Sequence, residues 1–236
     1  KKPQSAALLW IHGGGLVLGH ATQDSEFLES VVRALNIVVV SVEYHLAPEH
    51  PYPQPLNDCY AALLWMHDHA DELGIDPRRT AIGGDSAGGG LTAALVQRAC
   101  DEGRARPVFQ AMMYPMLDDR TTLKSKTARA LVGMPGRGIF VWTPEQNLFG
   151  WTSYLGHAPT LDDDRPYASA ARRKDLGGLP PAWIGVGDLD LFHNEDVDYC
   201  NRLRSAGVSC QLDIVPAAYH GFNVLTPKAP GSIAFH

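Results

Sequence analysis

The chain has 236 residues, 45% of them hydrophobic and 19% charged, with a formal net charge of −6. That is enough apolar material for one full core and too much for disorder, and the acidic balance argues against a phosphate-tracking nucleic-acid surface. No uninterrupted apolar run approaches the ~20 residues of a membrane-spanning helix, and the N-terminus has no signal-peptide core, so no membrane span and a cytoplasmic location are expected.

Ala6–Ile11 is a continuous apolar run, as expected of a strand covered on both faces, and it leads into His12-Gly13-Gly14-Gly15. Three successive glycines can turn their amides inward around an anion, because no side chain blocks close approach. Gly13, Gly14 and Gly15 are therefore candidate oxyanion donors, and His12 reads as a residue that fixes the loop by hydrogen bonding. Asp24–Leu35 is predicted helical, with Phe27, Leu28, Val31, Val32 and Leu35 recurring on one side. Ile37–Val42 is the most β-branched run and should be a central strand. The prolines of Glu43–Pro53 forbid regular structure ahead of a helix from about Leu56 to Leu73. His67 and His69 do not share a face of that helix and read as solvated surface rather than a metal pair. Asp76–Arg79 turns into the next strand.

Arg79–Ile82 reads as a buried strand and Leu91–Arg98 as a helix. Between them Gly84-Asp85-Ser86-Ala87-Gly88 fits G-x-S-x-G, a strand-to-helix corner that holds a serine hydroxyl exposed on a strained backbone. Val108–Tyr114 is another apolar strand, closed by Pro115. From Met116 to about Leu179 the pattern loosens, with Phe140, Trp142, Phe149, Trp151 and Tyr154 among polar stretches. This is too long for a strand–helix connection and too apolar for a linker, so helices of a cap are expected over about 117–179. Asp162-Asp163-Asp164 lacks the ligand spacing and turn glycine of a calcium loop and reads as solvated. Ala182–Gly187 is a strand, about Asn194–Ala206 an amphipathic helix, and Gln211–Val215 the last strand. The loop Pro216–Phe222 follows, and Pro230–His236 shows no terminal helix. Cys59, Cys100, Cys200 and Cys210 have no metal-type spacing and read as free thiols of a reducing compartment rather than a Cys200–Cys210 disulfide.

Strands alternating with helices predict an α/β fold: a mostly parallel central sheet with helices on both faces. Such sheets place ligand sites beyond the carboxyl ends of their strands. His12–Gly15, Ser86, Asp188–Asp190 and His220 all fall just there. A serine hydroxyl needs a base to take its proton, and a histidine base needs a carboxylate to fix its tautomer. On this kind of sheet the order is serine, acid, histidine. Downstream of Ser86, His157 lies in the expected cap, His193 near a helix start and His236 at the terminus. His220 follows the last strand and suits the role. Asp188 and Asp190 both end the strand Ala182–Gly187, and topology does not choose between them.

His12-Gly13-Gly14-Gly15, Tyr44-His45-Leu46-Ala47-Pro48-Glu49-His50-Pro51, Gly84-Asp85-Ser86-Ala87-Gly88-Gly89 and His220-Gly221-Phe222, in this order, resemble the hormone-sensitive-lipase-like esterases of the α/β-hydrolase superfamily. The resemblance covers essentially the whole chain. It implies an α/β-hydrolase fold over residues 1–236 with a cap insertion, acting as a serine carboxylesterase on short- to medium-chain esters through an acyl-enzyme. Ser86 would be the nucleophile, His220 the base, and the amide of Ala87 a donor beside those of Gly13, Gly14 or Gly15. The family's D-P-L-x-D-E motif matches Asp190-Leu191-Phe192-His193-Asn194-Glu195 at its ends, which favours Asp190 as the acid. Asn194 stands where the family often has a second Asp. Leu16 stands where an aromatic often follows the glycines, implying a more open pocket wall. Family members usually carry an N-terminal cap segment, further strands and a last helix, which are expected to lie outside this sequence. The implied partner is a small-molecule ester, with no metal or cofactor, and a homo-oligomer is compatible with the sequence. The alternatives are an amidase with the same triad and a non-catalytic small-molecule receptor, as in the plant gibberellin receptors, which lack the catalytic histidine. Activity should fall below about pH 6.5, where a histidine base becomes protonated.

Overall fold

The structure is a computed structural model that describes residues 4–123 and 136–235. Six strands form one sheet: β1 (Ser5–Ile11), β2 (Val38–Val42), β3 (Ile75–Asp85), β4 (Phe109–Met113), β5 (Ala182–Gly187) and β6 (Cys210–Val215). Their spatial order is β2-β1-β3-β4-β5-β6, and every neighbouring pair is parallel. The fold class read from the sequence is the one observed.

Burial on both faces explains the apolar runs. In β1, Leu9 and Ile11 join the core on one side of the sheet, while Leu8 and Trp10 join that on the other. The first side is filled by α2 (Gln54–Asp68), α4 (Ala87–Glu102) and α6 (His193–Ser205), through Leu63, Leu95 and Tyr199 among others. The second is covered by α1 (Ser25–Leu35), through Leu28, and by Phe222 of the one-turn α7 (Phe222–Leu225).

Several local expectations change. The helix expected over 56–73 is two: α2 stops at Asp68, and α3 (Ala70–Leu73) follows. His69 makes the break, its backbone N–H and ring both meeting the Trp65 carbonyl, and Gly74 ends α3 at φ 67°. Strand β3 begins at Ile75, ahead of the expected turn, because Ser5 pairs beside it. His67 is half-buried rather than solvated, and burial lowers its pKa. A short helix, α8 (Pro230–Phe235), forms where none was expected. Phe235 ties it down against Trp183, Tyr114 and Phe222. All four cysteines are free.

The insertion expected to form the cap is described only in part. Its described residues hold one α-helix, α5 (Pro144–Leu155), and two 3₁₀ turns, Asp119–Thr122 and Ala170–Arg172. The part of the expected cap at 124–135 lies outside the described residues. A capping box explains α5: Thr143 accepts from the Gln146 amide, and Gln146 accepts from the Thr143 amide. Ion pairs also anchor the described part of the insertion. Arg172 grips the fully buried Asp119 bidentately at 2.7 and 2.8 Å, and also donates to the carbonyls of Thr160, Leu161 and Asp163. Asp163 of the acidic run is held by Arg165, which lowers its pKa to about 2. Arg172→Ala would strand Asp119 as an uncompensated buried charge. It is expected to cost about 3–5 kcal/mol of stability, read as a lower denaturation midpoint in urea; a midpoint unchanged from wild type would refute this anchoring.

Candidate active site

The carboxyl ends of β1, β3, β5 and β6 deliver four loops to one edge of the sheet. Ser86 sits at the β3–α4 corner with φ 52° and ψ −118°, a conformation that L-residues seldom adopt. The corner is held by its own backbone: the Ser86 N–H donates to the Met113 carbonyl (2.8 Å), and the Ser86 carbonyl accepts from Gly90 (3.0 Å) and Met116 (2.9 Å). It also packs tightly on β1. A β-carbon at Gly88 would lie 2.0 Å from the Ile11 carbonyl oxygen, and one at Gly84 would lie 2.5 Å from it. These positions admit only glycine, which is why the motif was legible.

The Ser86 hydroxyl lies 2.8 Å from His220 Nε2, and His220 Nδ1 lies 2.8 Å from Asp190 Oδ2. All three side chains are buried, at 6%, 5% and 0% relative exposure. The Phe192 amide donates to the second Asp190 oxygen at 2.9 Å, and the rings of Tyr114 and Phe192 meet the His220 imidazole edge-on. With Nδ1 protonated, His220 donates to Asp190 and can accept the serine proton at Nε2. Asp188 makes no hydrogen bond with His220, whose partner is Asp190. Asp188 is half-buried, one carboxyl oxygen has no partner among the described residues, and its backbone carbonyl accepts from Arg137. The geometry thus separates two carboxylates that topology left equivalent. His157 and His193 lie elsewhere, beside Arg165 and Asn194.

Gly14 and Gly15 take φ values of +123° and +62°, and no protein acceptor meets their amides or that of Ala87 among the described residues. Gly13 differs: the Asp85 carboxyl lies against it, with Oδ2 2.5 Å from where a β-carbon would stand. His12 is fully buried, its Nδ1 is 2.8 Å from the Gly13 carbonyl, and its ring stacks on Tyr44 with centroids 4.3 Å apart. The Tyr44 hydroxyl donates to the His12 carbonyl at 2.9 Å. Burial lowers the His12 pKa, favouring the neutral ring of a loop support. Leu16 turns into the core rather than leaving the wall open, and the Trp142 ring covers Gly15, 1.9 Å from where a β-carbon would stand.

One stretch of the insertion touches three of these loops. Arg137 Nε donates to the Asp188 carbonyl at 2.7 Å and its Nη1 to Asn194 Oδ1, while the Gly138 amide donates to Leu189. Phe140 packs on Tyr219, Val141 lies over Gly221, and Trp142 caps Gly15. Sequence reasoning missed Asp85, Tyr44 and Arg137. The first two stand inside the quoted motifs, which was the available signal, whereas nothing marked Arg137.

Two further acids are buried at the start of α6. Glu195 accepts from the amides of Leu117 and Asp118 and from Thr121, and Asp196 has no hydrogen-bond partner among the described residues. Burial raises both well above the carboxylate range. No group of three or more metal-ligating side chains occurs among the described residues, nor any helix long and apolar enough to cross a membrane.

Comparison with known proteins matches residues 8–224 to the family described as the alpha/beta hydrolase fold. Carboxylic ester hydrolase LipN of Mycobacterium tuberculosis is 37% identical over 96% of this chain and 60% of its own length. Carboxylesterase NlhH of the same species is 36% identical over 91% of this chain and 66% of its own length. Among solved structures, a bacterial heroin esterase superposes with a TM-score of 0.90 at 42% identity, over 99% of this chain and 72% of that one. The chain therefore spans 60% to 66% of the length of these two curated relatives.

Proposed function

This chain belongs to the α/β-hydrolase fold family, and from that premise we propose that it is the catalytic part of a serine carboxylesterase of the hormone-sensitive-lipase-like group. The observation that carries the reading is the unbroken contact from Ser86 through His220 to Asp190, 2.8 Å at each step. That histidine is the group whose loss would turn such a site into a receptor.

In this mechanism Ser86 attacks the ester carbonyl while His220 takes its proton, and Asp190 stabilises the imidazolium. The carbonyl oxygen becomes an oxyanion and is received by amides of the glycine loop and Ala87. The amides of Gly14, Gly15 and Ala87 meet no protein acceptor among the described residues, which suits them to this role. Each such donor supplies about 3 kcal/mol of transition-state stabilisation. His220 then protonates the departing alcohol, and the acyl-enzyme forms. Water, activated by the same histidine, releases the acid. The described parts of the insertion, 117–123 and 136–179, act as the cap, and the four free thiols suit a reducing cytosol.

Short- to medium-chain acyl esters are the substrates this reading expects. The test is a series of p-nitrophenyl esters from acetate to laurate. Turnover is expected to be highest at the short end and to decline along the series. No hydrolysis of any member would sink the esterase reading, and a maximum at laurate would sink the short-acyl one.

A further inference from the structure

Asp85 precedes the nucleophile, yet its side chain is not used by the mechanism above. Its carboxyl sits against the start of the glycine loop: a β-carbon on Gly13 would lie 2.5 Å from Asp85 Oδ2 and 3.1 Å from its Cγ. The Gly13 amide favours the ionised form of this carboxyl, while Oδ1 is buried with no partner among the described residues. The carboxyl also lines a cavity of about 380 Å³ with Trp10, Asp24, Phe27, Tyr114 and Asn223 on the opposite side of the corner. Position 13 is thus glycine because Asp85 occupies the space a side chain would need.

We infer that Asp85 is the positioning residue of the oxyanion loop, drawing the Gly13 amide onto its carboxyl so that those of Gly14 and Gly15 face the substrate. A loop of three glycines has many accessible backbone states, and productive geometry requires one of them. His12 and Tyr44 hold the loop by its carbonyls, at Gly13 and His12 respectively. Asp85 holds it by an amide, which neither can do. A charged acceptor binds an amide more strongly than a neutral one, so the grip depends on ionisation.

The groups around that carboxyl set where it ionises. Burial and the charge of Asp24, at the start of α1, raise its pKa to about 7, whereas the Gly13 amide and His220 oppose the rise. Asp24 is itself raised by burial and lowered by the indole N–H of Trp10, which donates to it at 2.8 Å. Tyr44 and Tyr114 face the carboxyl as buried phenols held well above their ordinary range, chiefly by burial, and Glu26 lines the cavity. Asp85 is therefore neutral below neutrality and anionic above it.

The inference rests on the esterase reading for its kinetics but not for its spectroscopy. In a ¹H–¹⁵N spectrum of the whole chain, the Gly13 amide should shift with a midpoint near pH 7, and the shift should vanish in Asp85→Asn. A Gly13 resonance that does not move in wild type, or moves equally in Asp85→Asn, overturns the inference whether or not the protein hydrolyses esters. With p-nitrophenyl acetate, Asp85→Ala should lower kcat about ten-fold while KM stays within about three-fold. Asp85→Asn, which keeps an acceptor oxygen, should recover most of kcat at pH 6 and fall behind wild type as pH rises through 7. Asp85→Asn no better than Asp85→Ala, or a loss confined to KM, overturns the inference. If Asp85→Ala fails to fold, the ratio of wild type to Asp85→Asn across pH decides: a constant ratio overturns it. A wild type without esterase activity would instead sink the proposed function and leave the spectroscopic result to judge Asp85.

Discussion

Ser86→Ala is expected to lower ester turnover by about 10⁴-fold or more while leaving the fold in place. Among the described residues the hydroxyl makes one hydrogen bond, with His220, so its loss removes the attacking oxygen and little packing. The corner is held by backbone bonds from Met113, Gly90 and Met116, none of which involves the side chain. The melting temperature should therefore stay within about 4 °C of wild type, since one hydrogen bond from a small buried hydroxyl, about 1 kcal/mol, is lost. The measurement is kcat on p-nitrophenyl acetate beside a thermal melt. Near-normal turnover would mean that the nucleophile is another group, whereas a collapsed melt would mean that the hydroxyl is structural.

The second large effect separates two carboxylates one residue apart. Asp190→Asn should lower kcat about 10⁴-fold, because an amide in place of the carboxylate no longer enforces the tautomer with Nε2 free. Asp188→Asn should leave kcat within about three-fold, since its side chain does not touch His220 and Arg137 binds its backbone carbonyl instead. Equal losses in the two variants, or the reverse order, would contradict the roles given to them. Both variants keep the shape of the side chain, so packing changes are small.

The strands were readable because a parallel sheet buried on both faces leaves a simple mark, as in Ala6–Ile11. Ser86 was readable because the corner tolerates only glycine at 84 and 88. Topology did not separate Asp190 from Asp188, and only the match of Asp190–Glu195 to a family motif favoured the former. They differ in which way one turn aims them, and that depends on Asp190 N–H closing back on Gly187 and on the Phe192 amide reaching its carboxyl. The direction of the Gly13 amide was equally hidden, since glycine permits several and the choice is made by a side chain 72 positions later. The anchoring of the insertion was hidden for another reason: the pairing of Arg172 with Asp119 joins residues far apart in sequence and has no periodicity to detect.

The stretch from Arg137 to Trp142 acts as a tie-beam. It is fastened at one end to the turn that carries the acid, rests midway on the loop that carries the imidazole, and bears at the other end on Gly15. Pieces contributed by residues as distant as 15 and 221 thereby share one roof, and their relative spacing is not left to the sheet alone. A change in any one wall is then transmitted to the other two through six residues of backbone, so errors in alignment across this edge are correlated rather than independent.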